Sequence, residues 1–306
     1  MSAMSIALNV RYWILTAIVI GFIFGDIGGE YDEILLIVFL MIMMCFSLTK
    51  LEFVKEDLMH YKKYVLLSVV LCSFIATLVT LGVGLMFPEE MWKGWVILAC
   101  VPCAISVVSG TMFMKGDAKL TMISLSVIYI LAILLTPLFS YLLLGNAIDP
   151  MRIVMYVLLF VLIPLIVSVP LRKVGIPENA NTLIINFTFF MFALIAIGRC
   201  RDFFFDDLGL VAVVIGATAI RIAVMHLLFE YSMRYAGMSR ENRIPYSLLL
   251  IWRNSGLALA MVLLLFPKEE MAQAPASISM IFEQFYFMFM MWYYERIVPP
   301  SSETVE

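Results

Sequence analysis

Charged residues are scarce in this chain. Asp, Glu, Lys and Arg make up only 14% of the 306 residues, whereas an average soluble domain carries roughly 25%. A soluble enzyme is therefore the first class of protein to be set aside. Basic clusters are missing as well. The formal net charge is −3 and the sequence has no basic arm or stripe, which excludes nucleic-acid binding.

Histidine and cysteine are too few and too scattered to build a metal site or a disulfide framework. The chain has 2 histidines and 5 cysteines, without the spacing of zinc ligands. We therefore expect no metal and no resident cofactor. His60 falls in a predicted loop, and His226 has only Glu230 at helical spacing. The sequence thus shows no catalytic constellation, and we expect a protein that is not an enzyme.

Apolar residues dominate the amino-acid composition. They make up 63% of the chain, and the mean hydropathy is +1.02. A helix that spans a bilayer needs about 20 mainly apolar residues, and continuous rather than alternating apolar runs favour helices over a barrel. Ten such runs lie at 12–29, 34–48, 64–87, 94–113, 118–145, 152–171, 181–200, 208–235, 244–266 and 272–295. The sequence predicts an all-α polytopic membrane protein with ten transmembrane helices.

The basic residues outside these runs predict the orientation. If the N-terminus is cytoplasmic, the inner segments hold 13 Lys and Arg residues and the outer segments hold 5. Such a bias is the positive-inside signal. We predict an integral protein of the inner or plasma membrane with both termini cytoplasmic, and a disordered tail at 299–306. No dimerisation motif stands out, so we expect a monomer.

The runs divide five and five, into segments 1–147 and 148–298. Because five is odd, the second segment would enter the membrane from the opposite side, as in an inverted repeat. The fourth and ninth runs are both interrupted: Pro102 and Gly110 weaken the fourth, and Arg253, Asn254 and Gly256 the ninth. Paired interruptions at equivalent positions indicate a transport site.

Polar side chains cluster at the two interruptions. We predict that they line a solute or ion path, although each could instead be an ordinary interhelical hydrogen-bonding residue. The fourth-run candidates are Pro102, Cys103, Ser106, Ser109 and Thr111, and the ninth-run candidates are Arg253, Asn254 and Ser255.

Several short motifs resemble those of the bile-acid:sodium symporter superfamily, which is related to arsenite-efflux and auxin-efflux-type carriers. After Pro102, Lys115-Gly116-Asp117 and then Thr136-Pro137 stand at that family's spacing. Further segments resemble the end of its second helix, its ninth-helix motif and its last helix. These are Phe46-Ser47-Leu48-Thr49, Asn254-Ser255-Gly256-Leu257 and Pro275–Arg296.

The resemblance implies ten helices in an inverted repeat, with helices four and nine unwound where they cross. It implies a core domain of helices 3–5 and 8–10, and a panel domain of helices 1, 2, 6 and 7. Solute would pass between the two domains by alternating access.

The family's sodium ligands are largely replaced here. A helix-five hydroxyl is kept at Thr121, but apolar or cationic residues occupy the other matching positions, which are Val107, Val108, Leu125, Leu249 and Arg253. Aliphatic side chains offer no oxygen ligand. Sodium remains open as a coupling ion, but the sequence argues against coupling of the family's usual kind.

Three ionisable residues fall near the centre of predicted helices, where a charge costs about 2.5–3.5 kcal/mol. They are Arg221, Arg253 and Glu283. In one interpretation the Arg253 guanidinium occupies the place of a bound sodium ion. In the other, an Arg253–Glu283 salt bridge closes a degenerate site, with Arg221 as a further charge partner. The three charges sum to one positive charge, which favours an anionic solute.

We therefore predict a secondary transporter that moves a small organic anion through a lipid bilayer. Two alternatives stay open. Cys103 directly follows Pro102, as in the related arsenite-efflux carriers, although the ninth-helix Glu of those carriers falls near Gly256 here. The other alternative is a non-transporting membrane sensor or scaffold.

Overall fold

A computed structural model describes residues 7–8, 10–49, 55–199 and 201–298. These residues form thirteen helices and no β-strand. The predicted tail at 299–306 and Cys200 lie outside the described residues.

The helices follow one another with short connections. In the first half they are α1 (Val10–Phe24), α2 (Asp32–Leu48), α3 (Lys55–Val69, continuing through a π-helical turn at Val70–Ile75 into Ala76–Gly84), α4 (Glu89–Cys100), α5 (Val107–Phe113) and α6 (Ala118–Leu144). In the second half they are α7 (Pro150–Val157, continuing through Leu158–Leu162 into Ile163–Lys173), α8 (Glu178–Arg199), α9 (Arg201–Asp206), α10 (Leu208–Tyr235), α11 (Arg240–Ile251), α12 (Ser255–Leu265) and α13 (Ala274–Arg296).

In the described part of the chain, six helical segments are long and apolar enough to cross a membrane. They lie in α2, α3, α6, α7, α8 and α10, and α1 and α12 add shorter apolar helices. Every predicted apolar run coincides with one helix or with two consecutive helices. An all-helical membrane fold is therefore confirmed, whereas the count of ten spans and the inverted repeat stay predictions.

The helices pack in two neighbourhoods that meet at α12 and where α6 packs against α7. In one, α8 lies against α1 and α2, and α7 lies against α2. In the other, α4 packs against α3, α6, α12 and α13, and α10 packs against α11 and α13. Helix α12 also contacts α2 and α7. The division into a core and a panel domain stays a prediction.

The Lys115-Gly116-Asp117 motif forms the tight turn between α5 and α6. Lys115 has a φ of 57°, in the left-handed region. A Cβ on Gly116 would lie 2.8 Å from the Ile244 side chain of α11, so only glycine allows this approach. The Asp117 carboxylate accepts a hydrogen bond from the Leu120 amide, 2.8 Å away, and caps α6. The motif thus joins three helices around the site.

Candidate functional site

Both predicted interruptions are real breaks in the helices. The fourth run is divided into α4, which ends at Cys100, and α5, which begins at Val107. The ninth run is divided into α11, which ends at Ile251, and α12, which begins at Ser255. Each break therefore brings unpaired helix ends into the middle of a buried apolar region.

The two breaks are hydrogen-bonded to each other. Cys103 and Arg253 form an isolated antiparallel bridge. The Ala104 amide donates to the Trp252 carbonyl at 3.1 Å, and the Asn254 amide donates to the Pro102 carbonyl at 2.9 Å. The broken segments thus satisfy part of each other's backbone, as buried polar groups require.

Side chains from α3 and α6 satisfy further carbonyls at the end of α4. The Thr77 hydroxyl donates to Ala99 at 2.9 Å, and the Thr136 hydroxyl donates to Cys100 at 2.8 Å. The Tyr129 hydroxyl donates to the Cys103 carbonyl at 3.1 Å. Thr136 belongs to the Thr-Pro motif noted in the sequence, whereas Thr77 and Tyr129 carry no such signal.

Arg253 belongs to the break between α11 and α12, and its side chain lies against the C-terminal end of α4. It is only 2% exposed. Its Nη1 donates to the Val101 carbonyl at 3.1 Å and its Nη2 donates to Thr77 Oγ1 at 2.8 Å. Cys72 Sγ lies 3.7 Å from Nη1. The C-terminal end of a helix carries partial negative charge, so the guanidinium occupies the position where a cation is favoured.

Glu283 pairs with Arg221 rather than with Arg253. Arg221 Nη2 lies 3.4 Å from Glu283 Oε1, and the Ser255 hydroxyl donates to Oε2 at 2.7 Å. The interpretation in which Arg253 forms a salt bridge with Glu283 is wrong, and Arg253 forms no ion pair with any carboxylate of the described residues. The reason is direction: Arg253 extends towards α3 and the end of α4, whereas Glu283 lies beside the first residue of α12.

Asn254 caps α12 and joins the crossing to α6. Its Oδ1 accepts from the Leu257 amide at 3.1 Å, and its Nδ2 donates to the Tyr129 hydroxyl at 3.0 Å. Met44 Sδ on α2 lies 3.7 Å from the same nitrogen. Asn254 therefore contacts residues from both packing neighbourhoods.

The remaining predicted site residues lie apart from this network. Thr121 donates to the Thr111 hydroxyl at 3.1 Å and links α6 to α5. Ser109 is half-buried, and Ser106 is exposed just before α5. The replaced sodium-ligand positions on α5, α6 and α11 are all buried and apolar: Val107, Val108, Leu125 and Leu249.

Cys103 has a second thiol beside it. Its thiol lies close to that of Cys72 on α3, and both are buried. Cys72 also contacts Arg253. Sequence reasoning did not single out Cys72, because nothing in its apolar run shows that this side chain faces the break.

A small cavity adjoins the guanidinium on the side of α3 and α6. Ser73 and Thr77 of α3 line it together with Arg253, Pro102 and apolar side chains of α6. The cationic group therefore borders a space of about the size of one water molecule.

Discontinuous helices whose ends meet inside an apolar helical protein are typical of membrane transporters. The comparison with known families agrees: residues 35–200 match the model of the Sodium Bile acid symporter family. The match covers more than half of the chain, which belongs to this family. A search among curated proteins finds no match. The family consists of membrane transporters, so this chain is an integral membrane protein of the transporter type.

Proposed function

We propose that the protein carries a small organic anion across the membrane by alternating access, and that Arg253 takes the place of a coupling sodium ion. One observation carries this proposal. The Arg253 guanidinium is buried at the end of α4, bonded to the Val101 carbonyl and the Thr77 hydroxyl, and it forms no ion pair with a described carboxylate.

The surroundings of Arg253 favour a cation. In transporters with broken helices, unwound carbonyls and half-helix C-terminal ends coordinate Na⁺. Arg253 donates to acceptors of this kind and supplies a charge of the same sign. The family's sodium positions offer no side-chain oxygen at Val107, Val108, Leu125 and Leu249. A fixed guanidinium would therefore make sodium unnecessary.

The charge balance favours an anionic solute. Arg221 and Glu283 offset one another at the start of α12, which leaves the Arg253 charge without a counter-ion. An uncompensated buried charge costs several kcal/mol. An anion brought close to Arg253 during transport would lower that cost, so the site has a physical reason to prefer organic anions over neutral solutes.

The test needs no knowledge of the solute. Purified protein is unfolded thermally in sodium and in potassium at matched ionic strength, because an ion that binds only the folded state raises its stability by RT ln(1 + [L]/Kd). We expect no sodium-specific shift in the wild type and a saturating shift in Arg253→Gln. Arg152→Gln, at the exposed start of α7, is the control and should gain none.

A sodium-specific shift in the wild type would contradict the proposal, and so would an Arg253→Gln variant that folds without gaining one. Arg253→Lys keeps the charge, so its unfolding midpoint should be the same in sodium and in potassium. It provides a second variant for the test if Arg253→Gln does not fold.

Arsenite efflux is a second candidate function, favoured by the Cys72–Cys103 thiol pair. Thiolates are the ligands that soft metal and metalloid ions prefer. If this function holds, cells that express the protein should resist arsenite, and Cys103→Ser and Cys72→Ser should each remove the resistance. Cys45→Ser on α2 is the matched control.

A further inference from the structure

Helices α10 and α13 are joined by a row of polar side chains that extends beyond the site described above, all buried except the half-buried Tyr286. The row begins at the Arg221–Glu283 pair beside the crossing. It ends at Arg243 near the start of α11, on the side of the membrane predicted to be cytoplasmic. We call its members between these ends the polar row: Tyr286, His226, Tyr294 and Glu230.

Hydrogen bonds connect the members of the polar row in sequence. Tyr286 and His226 Nδ1 share a hydrogen bond of 2.9 Å, and His226 Nε2 lies 3.4 Å from the Tyr294 hydroxyl. Tyr294 donates to Glu230 Oε2 at 2.8 Å. Arg243 Nε donates to Glu230 Oε1 at 2.9 Å, and its Nη1 donates to the Met238 carbonyl.

The length of the row matches half a membrane. Arg221 and Glu230 are nine positions apart on α10, which is about 13 Å at ~1.5 Å per residue. Half of the hydrocarbon core of a bilayer is about 15 Å thick. The row therefore reaches from the level of the crossing to the level of the membrane surface.

A small cavity lies between Glu283 and the polar row. Glu283 and Tyr286 both line it, and the rest of its wall is mainly apolar. Its size is close to that of one water molecule. A water bonded to both side chains would connect Glu283 to Tyr286.

The chemistry of these groups fits proton transfer. Tyrosine hydroxyls and neutral imidazole both donate and accept hydrogen bonds, and chains of Asp, Glu and His inside membranes mark proton relays. We propose that Glu283 binds a coupling proton, which reaches it from the side of Arg243 along the polar row. In each step a group accepts one proton and releases another to its neighbour, so only Glu283 ends with an added proton.

Protonation of Glu283 would also change the charge beside the crossing. The groups facing Glu283 are Arg221 on α10, and Ser255 and Arg253 at the break. Those facing His226 are Glu230, Tyr286, Tyr293 and Tyr294, with Arg243 behind Glu230. A neutral Glu283 leaves two guanidinium charges near the solute, so proton and anion would favour each other's binding. This inference rests on the proposed anion transport and names its coupling ion.

The first test follows Glu283 directly. Infrared difference spectra of purified protein in lipid, without any solute, are recorded from about pH 8 to about pH 5. We expect a carboxylic-acid C=O band that grows on acidification, disappears in Glu283→Gln, and persists in the control Glu269→Gln, whose carboxylate pairs with Lys93. A wild type without this band, or a folded Glu283→Gln with an unchanged band, overturns the inference.

The second test follows the polar row. After a rapid drop in pH, the Glu283 band should grow about tenfold more slowly in Tyr286→Phe than in the wild type. A tenfold slower rate corresponds to a barrier raised by about the free energy of one hydrogen bond. Tyr293→Phe is the matched control: its ring lies 5.5 Å from that of His226, but its hydroxyl has no hydrogen-bond partner in the described part of the chain. Equal rates in the two variants overturn the role of the row.

These outcomes are separate from the test of the proposed function. The infrared titration needs neither a solute nor sodium. A missing band would therefore overturn the proposed proton site without contradicting the proposed anion transport. An anion flux that Glu283→Gln does not change would also overturn the inference alone.

Discussion

The backbone of Arg253 is paired with that of Cys103 where the two broken helices cross. The same arginine sends its side chain back to the Val101 carbonyl. Main chain and side chain of one residue therefore hold the end of α4 against the start of α12, and a movement of either half-helix is transmitted to the other.

Removing the Thr136 hydroxyl should destabilise the break. Thr136→Val keeps the shape of the side chain but leaves the Cys100 carbonyl without its donor, which costs about 1–3 kcal/mol. Thermal unfolding in detergent should show a lower midpoint. Thr188→Val on α8 is the control, because Thr188 bonds only to carbonyls of its own helix, and its midpoint should change little.

Asn254→Ala should destabilise the protein even when Tyr129 is already changed to phenylalanine. The asparagine change removes both the α12 cap and the bond to Tyr129, whereas Tyr129→Phe removes that bond and the donor to the Cys103 carbonyl but leaves the cap intact. Loss of a cap costs about 1 kcal/mol, so the double variant should unfold at a lower temperature than Tyr129→Phe alone. Equal midpoints of these two variants would show that the cap contributes nothing.

The Arg221–Glu283 pair should show strong coupling in a double-mutant cycle. Each single change, Arg221→Gln or Glu283→Gln, leaves one buried charge unpaired and should cost about 3–5 kcal/mol. The double variant should be more stable than the sum of the single losses predicts. Additive losses would mean that the two charges do not interact.

Gly94 permits a close approach that no larger residue allows. A Cβ at Gly94 would lie 1.9 Å from the Ala272 carbonyl oxygen, so Gly94→Ala must push α4 away from the segment before α13. We expect a clear drop in the unfolding midpoint. Gly82→Ala on α3 meets nothing within 4 Å, and alanine favours the helix by roughly 0.5–1 kcal/mol, so it should be neutral or stabilising.

The sequence indicates where the candidate site lies in the chain, but not which side chains meet there. Pro102 and the Arg253-Asn254-Ser255-Gly256 stretch indicate where the helices break, because proline and glycine disfavour helices in any context. Cys72, Thr77 and Tyr129 could not be found this way. They lie in continuous apolar helices, and only the packing of α3 and α6 against the breaks brings Cys72 and Thr77 to Arg253 and Tyr129 to Asn254.

The sequence by itself determined that this protein is helical, belongs in a membrane and is interrupted at two points, because apolar length and helix-breaking residues act locally. Only the tertiary structure decided the charge partners. At a break the backbone loses its helical period, so the direction of the Arg253 side chain cannot be read from spacing. Glu283 meets Arg221 because α10 and α13 lie side by side, a relation between segments that are far apart in the chain.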